Sequence, residues 1–248
     1  MRDAPRRAST RIDNLLVERG LFESRAKAQA AIAAGRVTAD ALAIERPSDK
    51  VAMDAVLRAR PAHPYVSRGG LKLAAALDHF RFDPADRICL DVGASTGGFT
   101  QVLIERGARR VYAVDVGSEQ LHPRLRAQRG ILVFHETDIR RLKPSQLPES
   151  PDFVCVDVSF VSLKLALPPA LALVQFPARL LALIKPQFEA GRGASKKGIV
   201  REDSVHAAVC AEIADLVRSL GWKVMSIMPS PIAGRSGNRE FFIGATRD

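Results

Sequence analysis

Four polar residues interrupt runs whose other members are suited to a core. Lys72 lies in SRGGLKLAAALDHF, on an otherwise apolar helical face, and Asp157 ends the strand-like run FVCVDV. Lys185 closes RLLALIKP, and Glu240 opens EFFIGA directly after the turn-rich SGNR. Read singly, each has a plain structural use: a lysine before proline at a strand end is often solvated, and an amphipathic helix commonly carries a lysine at its edge. Together they form a charge-balanced set of two amines and two carboxylates. Such a set suits activation of a weak hydroxyl nucleophile. A desolvated amine beside another cation gives up its proton more readily, while neighbouring carboxylates hold the amines in place. General-base help of that kind is worth ~10²–10⁴-fold. Alignment of the reacting atoms supplies much of the rest.

A glycine-rich turn supplies a place for a ligand. The apolar run ICLDVGAS passes directly into TGGFTQVLIERG, so a strand, a turn and a helix follow one another. Backbone can approach a ligand closely at such a helix N-terminus. The candidate contacts are Asp91, Gly93, Ala94, Ser95, Thr96, Gly97, Gly98 and Phe99. Asp115 and Val116 end the next apolar run, VYAVDV, roughly 20 residues on, where an acid can hold both hydroxyls of a ribose. Asp138 and Ile139, in HETDIR, follow a third run, although Asp138 also reads as an ordinary loop carboxylate. The spacing D-x-G-A-S-T-G-G departs from the G-x-G-x-x-G of a pyrophosphate-binding turn. It resembles the first motif of S-adenosylmethionine-dependent methyltransferases. That resemblance implies S-adenosylmethionine as cofactor, with the glycines admitting its methionine and ribose and Asp138 near the adenine amino group.

The elements that would position these residues alternate along the chain. Helices are expected over 69–80, 97–106 and 203–220, and strands over 87–92, 110–116, 131–135, 152–158, 179–185, 222–228 and 240–245. Alternation of this kind marks an α/β fold with a largely parallel sheet. Ligands then bind outside the carboxyl ends of the strands, where Asp157 and Lys185 stand. Residues 165–184, LALPPALALVQFPARLLALI, approach the length of a membrane span. Pro168, Pro169, Pro177, Gln175 and Arg179 argue against one. A buried helix, a turn at Phe176-Pro177 and a buried strand are expected instead.

Residues 9–60 read differently, as a small α+β domain, with 61–66 a linker containing Pro61 and Pro64 and 67–248 the α/β domain. RIDNLLVERG places Ile12, Leu15, Leu16 and Arg19 in helical register, with Gly20 as a stop. Ser24 can cap a second helix that ends at Gly35. Arg11, Arg19, Arg25, Lys27 and Arg36 gather around these helices as a solvated basic face or a phosphate-contacting one. The net charge of +10, from 37 Lys and Arg against 27 Asp and Glu, suggests a polyanionic partner, either nucleic acid or an anionic membrane. Cys89, Cys155 and Cys210 form no CxxC pair and read as buried apolar residues of a reducing cytoplasm. The basic N-terminus lacks the apolar run of a secretory signal. The five histidines have no metal-ligand spacing.

The pattern R-x-D-x-L-L-x-x-R-G-L followed by S-R-x-x-A-x-x-x-I-x-x-G-x-V, from Arg11 to about Arg60, resembles the S-four-type RNA-binding domain. In the second domain Lys72, Asp157, Lys185 and Glu240 match the Lys-Asp-Lys-Glu tetrad of FtsJ-type RNA 2′-O-methyltransferases. With VSRGGLKL, DVGASTGGFT, DVSFVSL, IKPQFEAG and SGNRE, nearly the whole chain resembles the TlyA family, also labelled hemolysin A. The resemblance implies a Rossmann-like methyltransferase domain with a mostly parallel seven-stranded sheet. It implies transfer of a methyl group to the 2′-hydroxyl of a ribosomal RNA cytidine. Lys185 would be the central amine, and Lys72, Asp157 and Glu240 would position and tune it. Ser24 and Arg68 would join the RNA contacts, and Phe160, Phe188 and the loop GRGASKKGIVRED would meet the target nucleotide. The implied partner is ribosomal RNA or a ribosomal subunit in the cytoplasm, without stable membrane association. A membrane-active haemolysin, a non-catalytic RNA-binding factor and a nicotinamide-dependent oxidoreductase are the alternatives. The prolines of 165–184, the intact tetrad and the glycine spacing respectively oppose them.

Overall fold

The computed structural model describes residues 8–191, 198–234 and 237–248. The chain divides into two units, Met1–Pro64 and Tyr65–Asp248.

In the first unit β1 (Ser9–Arg11) leads into α1 (Ile12–Glu18), and α2 (Arg25–Ala33) follows. Both helices end as their glycines require. Gly20 and Gly35 take φ of +68° and +66°. The N–H of Leu21 returns to Leu16 O and that of Arg36 to Ala31 O, so the last carbonyls are satisfied. Ser24 caps α2 by accepting from the Lys27 N–H. Strands β2 (Val37–Ala39), β3 (Leu42–Ala43), β4 (Lys50–Ala52) and β5 (Leu57–Ala59) complete the unit, in sheets ordered β3-β2-β5 and β1-β4. Ile12, Leu16, Ala28, Ile32 and Val37 fill its core.

The second unit opens with α3 (Gly69–Phe80), the span the sequence predicts. The elements that follow are β6 (Ile88–Val92), α4 (Gly98–Glu105), β7 (Arg110–Val114), α5 (Pro123–Arg126), β8 (Ile131–Phe134) and β9 (Phe153–Val156). The remainder is α6 (Leu163–Leu171), β10 (Ala178–Ile184), α7 (Pro186–Glu189), α8 (Asp203–Ser219), β11 (Lys223–Pro229) and β12 (Phe241–Arg247). The seven strands run β11-β12-β10-β9-β6-β7-β8, with β12 antiparallel to both neighbours and the other contacts parallel. This is the mostly parallel seven-stranded sheet expected.

Several predicted strands are one or two residues too long at their carboxyl ends, including those ending at Val116 and Val158. The ladder stops where the chain turns into the loops that carry Asp115 and Asp157. Pro168 and Pro169 lie inside α6 and do not end it. Leu163, Ala166, Leu167 and Ala170 of this helix are buried against the sheet, and that burial offsets the missing N–H donors. One apolar layer, with α6 and α8, covers one face of the sheet, and a second layer, with α3 and α4, covers the other.

Candidate active site

Strand alternation puts the predicted polar residues on one side of the sheet. Phe153 and Cys155 of β9, Leu181 and Leu183 of β10, and Phe242 of β12 all enter the α3/α4 layer. Their neighbours Val154, Val156, Leu180, Ala182, Ile184 and Ile243 enter the opposite one. Side chains alternate with a period of two. One further step therefore carries Asp157, Lys185 and Glu240 onto the α3 side. Lys72 belongs to the buried stripe of α3 with Leu73, Ala76 and Phe80, so its amine travels to the same side.

The four residues meet as two ion pairs. Lys72 Nζ lies 2.5 Å from Glu240 Oε2, with only 10% and 3% of the two side chains exposed. Lys185 Nζ lies 2.6 Å from Asp157 Oδ1. That second approach is close but not well aligned, since no donor among the described residues makes a directed hydrogen bond to Asp157 Oδ1. The directed bond from Lys185 goes to Ser159 Oγ, at 2.9 Å. Nothing local in the sequence singles out Ser159. The same holds for Asn238, which accepts from the Val200 N–H at 3.1 Å and donates to Gly198 O at 3.0 Å, fixing the turn just before Glu240. The motif SGNRE contains this asparagine, but nothing local shows where its amide goes. Glu189, buried, accepts from the Leu163 N–H and the Ser162 hydroxyl at the head of α6.

The glycine turn abuts this cluster. Gly93 has φ +86°, and a Cβ there would lie 2.5 Å from the Asp157 carbonyl oxygen. Gly97, at φ +95°, packs against Leu121 and Leu125, and Gly98 packs against Ser67 and the Gly70 nitrogen. The expected reason for these glycines was access for a ligand. The structure shows a prior one: protein atoms occupy the Cβ direction at all three. Phe99 is buried and stacks on Phe242 with ring centroids 6.1 Å apart, so its ring belongs to the core rather than to a ligand surface. Ala94 is buried as well, and Thr96 is exposed.

Carboxylates surround the turn. Asp115 accepts from the Ser95 N–H at 2.8 Å and the Gly117 N–H at 2.7 Å, which fixes both oxygens while leaving lone pairs for a diol. Val116 beside it is 71% exposed. Asp91 is fully buried and accepts from the Thr100 hydroxyl at 2.6 Å, while its other oxygen has no hydrogen-bond partner among the described residues. Burial, with Asp157 and Asp115 nearby, pushes Asp91 up to about 7. A cation bound here would relieve that mutual repulsion. Asp138 accepts from the Arg140 N–H and guanidinium, which hold its carboxyl down at about 2. An adenine amino group would share Asp138 with Arg140. Ile139 is buried beside it.

Comparison with known proteins decides the family. Residues 65–247 match the model of the FtsJ-like methyltransferases, and residues 10–57 match that of the S4 domain. The chain belongs to the FtsJ-like methyltransferase family. It is 43% identical over 237 residues to YqxC of Bacillus subtilis, which carries the name of an rRNA methyltransferase, covering 94% of this chain and 84% of that one. It is 41% identical over 238 residues to the 16S/23S rRNA (cytidine-2′-O)-methyltransferase TlyA of Mycobacterium tuberculosis, covering 94% and 88%. A solved structure described as a hemolysin, from Streptococcus thermophilus, superposes with a TM-score of 0.76 at 39% identity, covering 96% of this chain and 88% of that one. The methyl donor of this FtsJ-like protein is S-adenosylmethionine. That cofactor carries sulfonium and ammonium charges against one carboxylate, and the crowd of Asp91, Asp115 and Asp157 fits its net positive charge in sign. No helix among the described residues is long and apolar enough to cross a membrane.

In the S4 unit of this FtsJ-like methyltransferase, several expected RNA contacts already have internal partners. Asp13 is fully buried and accepts from Arg11 through two nitrogens at 3.0 Å, from Arg25 at 2.9 Å and from Gln29 at 2.9 Å. Arg11 holds the Asp13 carboxyl well below the usual range, with Gln29 and Arg25 adding to the effect. Arg19 donates to the carbonyls of Ala55 and Met53. Lys27 pairs with Glu23, and the Ser24 hydroxyl is engaged as the cap of α2. Arg36 is exposed beyond that helix. Arg68, also exposed, heads α3 in the second unit. The predicted loop GRGASKKGIVRED falls partly outside the described residues, at 192–197.

Proposed function

We propose that this protein methylates the 2′-hydroxyl of a cytidine in ribosomal RNA. The pairing of Lys185 with Asp157, on the sheet face and strand end where Lys72 meets Glu240 and the Gly93 turn packs, carries this reading. When bound, S-adenosylmethionine would supply the methyl group from its sulfonium sulfur to the 2′-oxygen, and the hydroxyl proton would pass to Lys185.

This chain's residues do the positioning. Lys185 faces the 2′-oxygen and takes its proton, and Asp157 holds the amine against the glycine turn. The Lys72–Glu240 pair keeps the wall of the site charge-balanced. Asp115, fixed by two backbone N–H groups, would hold the cofactor ribose by accepting from its hydroxyls. Phe160 is 89% exposed at φ +65°, an expensive conformation for a bulky residue, and Phe188 backs it with ring centroids 5.1 Å apart. Unstacked RNA bases settle on such rings. The S4 unit holds structured RNA with its exposed cations, Arg36 among them, and the work is done on ribosomal RNA or a subunit in the cytoplasm. Some relatives carry a haemolysin name, and no helix among the described residues of this chain is long and apolar enough to cross a membrane.

The test uses labelled S-adenosylmethionine and ribosomal RNA or subunits lacking the modification, with the product mapped by resistance to alkaline cleavage. Lys185→Ala abolishes transfer and leaves cofactor affinity largely intact. Normal turnover by Lys185→Ala removes the role given to it, and transfer to a base rather than a ribose removes the reaction.

A further inference from the structure

We infer that Ser159 is a positioning residue for methyl transfer, because it aims the amine of Lys185. The inference rests on the reading of Lys185 as the amine facing the 2′-oxygen. The neighbours of this amine divide their labour. Asp157, at 2.6 Å, supplies opposite charge without a well-directed hydrogen bond. Ser159 Oγ, at 2.9 Å, receives the one directed bond that the amine makes among the described residues. Charge attraction fixes how far away an amine sits but only weakly fixes its rotation about the Cε–Nζ bond. A hydrogen bond fixes rotation, because its strength falls steeply off axis.

Geometry at nitrogen then decides what a substrate meets. A tetrahedral nitrogen has four directions. Cε takes one and the bond to Ser159 takes another, which stops the rotation about Cε–Nζ. The charge of Asp157, off axis, then biases the second N–H toward its own side. The position that remains holds the lone pair that accepts the hydroxyl proton. Without the serine hydroxyl, a committed N–H can turn toward the substrate, and the amine donates where it needs to accept. Placement supports the assignment. Lys185 is buried, whereas Ser159 is exposed and directly precedes Phe160, so the hydroxyl stands between the amine and the surface where a nucleotide would enter.

The test compares Ser159→Ala, Ser159→Val and Ser159→Thr in the full-length protein with ribosomal RNA. Melting temperature, S-adenosylmethionine affinity, KM for RNA and kcat are measured for each. Loss of one aiming hydrogen bond lowers kcat on the order of tenfold. Ala and Val show that loss with cofactor affinity, KM and melting temperature within about twofold or a few degrees of wild type. Thr, which keeps the hydroxyl in the volume of Val, restores most of kcat. The inference is overturned if Ala or Val keeps wild-type kcat, if Val performs as well as Thr, or if affinity and stability fall in step with kcat. Lys185→Ala runs alongside. If it stays active, the reading of the site has failed; if it is dead while Ser159→Ala is normal, only the role of Ser159 has failed.

Discussion

Alanine at Gly93 tests whether the glycine turn and the paired side chains form one device. A Cβ at this position lies 2.5 Å from the Asp157 carbonyl oxygen and 3.2 Å from Val158 Cα, both backbone atoms that cannot swing aside. To reach ordinary contact the Asp157 backbone must recede by roughly 0.9 Å, and a displacement near 1 Å at a reacting centre costs ~10²-fold. The φ of +86° adds about 1–2 kcal/mol for any residue with a Cβ, and the overpacking adds about 1–3 kcal/mol. Gly107→Ala is the control: its φ is +87°, but its nearest neighbours are at 3.6 Å, so it carries the strain without the clash. The assay is methyl transfer to ribosomal RNA, with thermal melting of both variants. We expect Gly93→Ala to lose about 10²-fold in kcat and to melt well below Gly107→Ala, which keeps near-normal transfer. Transfer by Gly93→Ala within about threefold of wild type would refute the idea that Asp157 must sit where the glycine lets it.

Lys72→Met leaves the Glu240 carboxylate buried without its counter-ion, a loss of about 3–5 kcal/mol that lowers the melting temperature. Lys72→Met with Glu240→Leu recovers most of that stability but not transfer; recovered transfer would show that the pair serves the fold alone. Asp91, raised from 3.8 to about 7, stabilises the cofactor-free fold while protonated, a contribution complete below about 4 and lost as pH rises through about 7. A cationic cofactor favours the ionised form. Its affinity therefore rises from pH 6 to 8 with proton release, measurable by calorimetry in buffers of different ionisation heat. An unchanged pH dependence in Asp91→Asn would dismiss Asp91 as the source.

Legibility from sequence followed the range of each physical signal. Periods of two and 3.6 persist over whole elements, so the strand carrying Asp91, the strands that end just before Asp157 and Lys185, and the helix carrying Lys72 can be read directly. Four-residue helices are too short to express a period, and α5 and α7 went unseen for that reason. Partnerships across the fold leave no local trace. Ser159 meets a lysine 26 positions away, and Asn238 meets backbone 38 and 40 positions away. The N-terminal arginines show the same limit from the other side. A cluster of cations around two helices looks like an RNA face until a buried acid, Asp13, is found to hold two of them. Probing that face through Arg25 would therefore strip Asp13 of a partner, whereas Arg36 reports on RNA with less disturbance to the fold.

The deeper regularity is that one parity rule does most of the assembly. Asp157, Lys185 and Glu240 lie far apart in sequence, yet each extends the alternation of an apolar strand by one step past the core. Phe153, Cys155, Leu181, Leu183 and Phe242 define that side of the sheet through burial alone. The polar residue two positions beyond the last core residue on that side, after it in β9 and β10 and before it in β12, inherits its direction without further specification. A one-residue insertion before Ile184 in β10 would send the Lys185 amine toward the α6/α8 layer and Ile184 toward the site. Hydrophobic packing therefore fixes which side of the sheet becomes chemical, and the tetrad charges need only fix distances within it. For this reason the placement should withstand loss of either ion pair, and the apolar strand residues behind the site should matter to transfer as much as to stability.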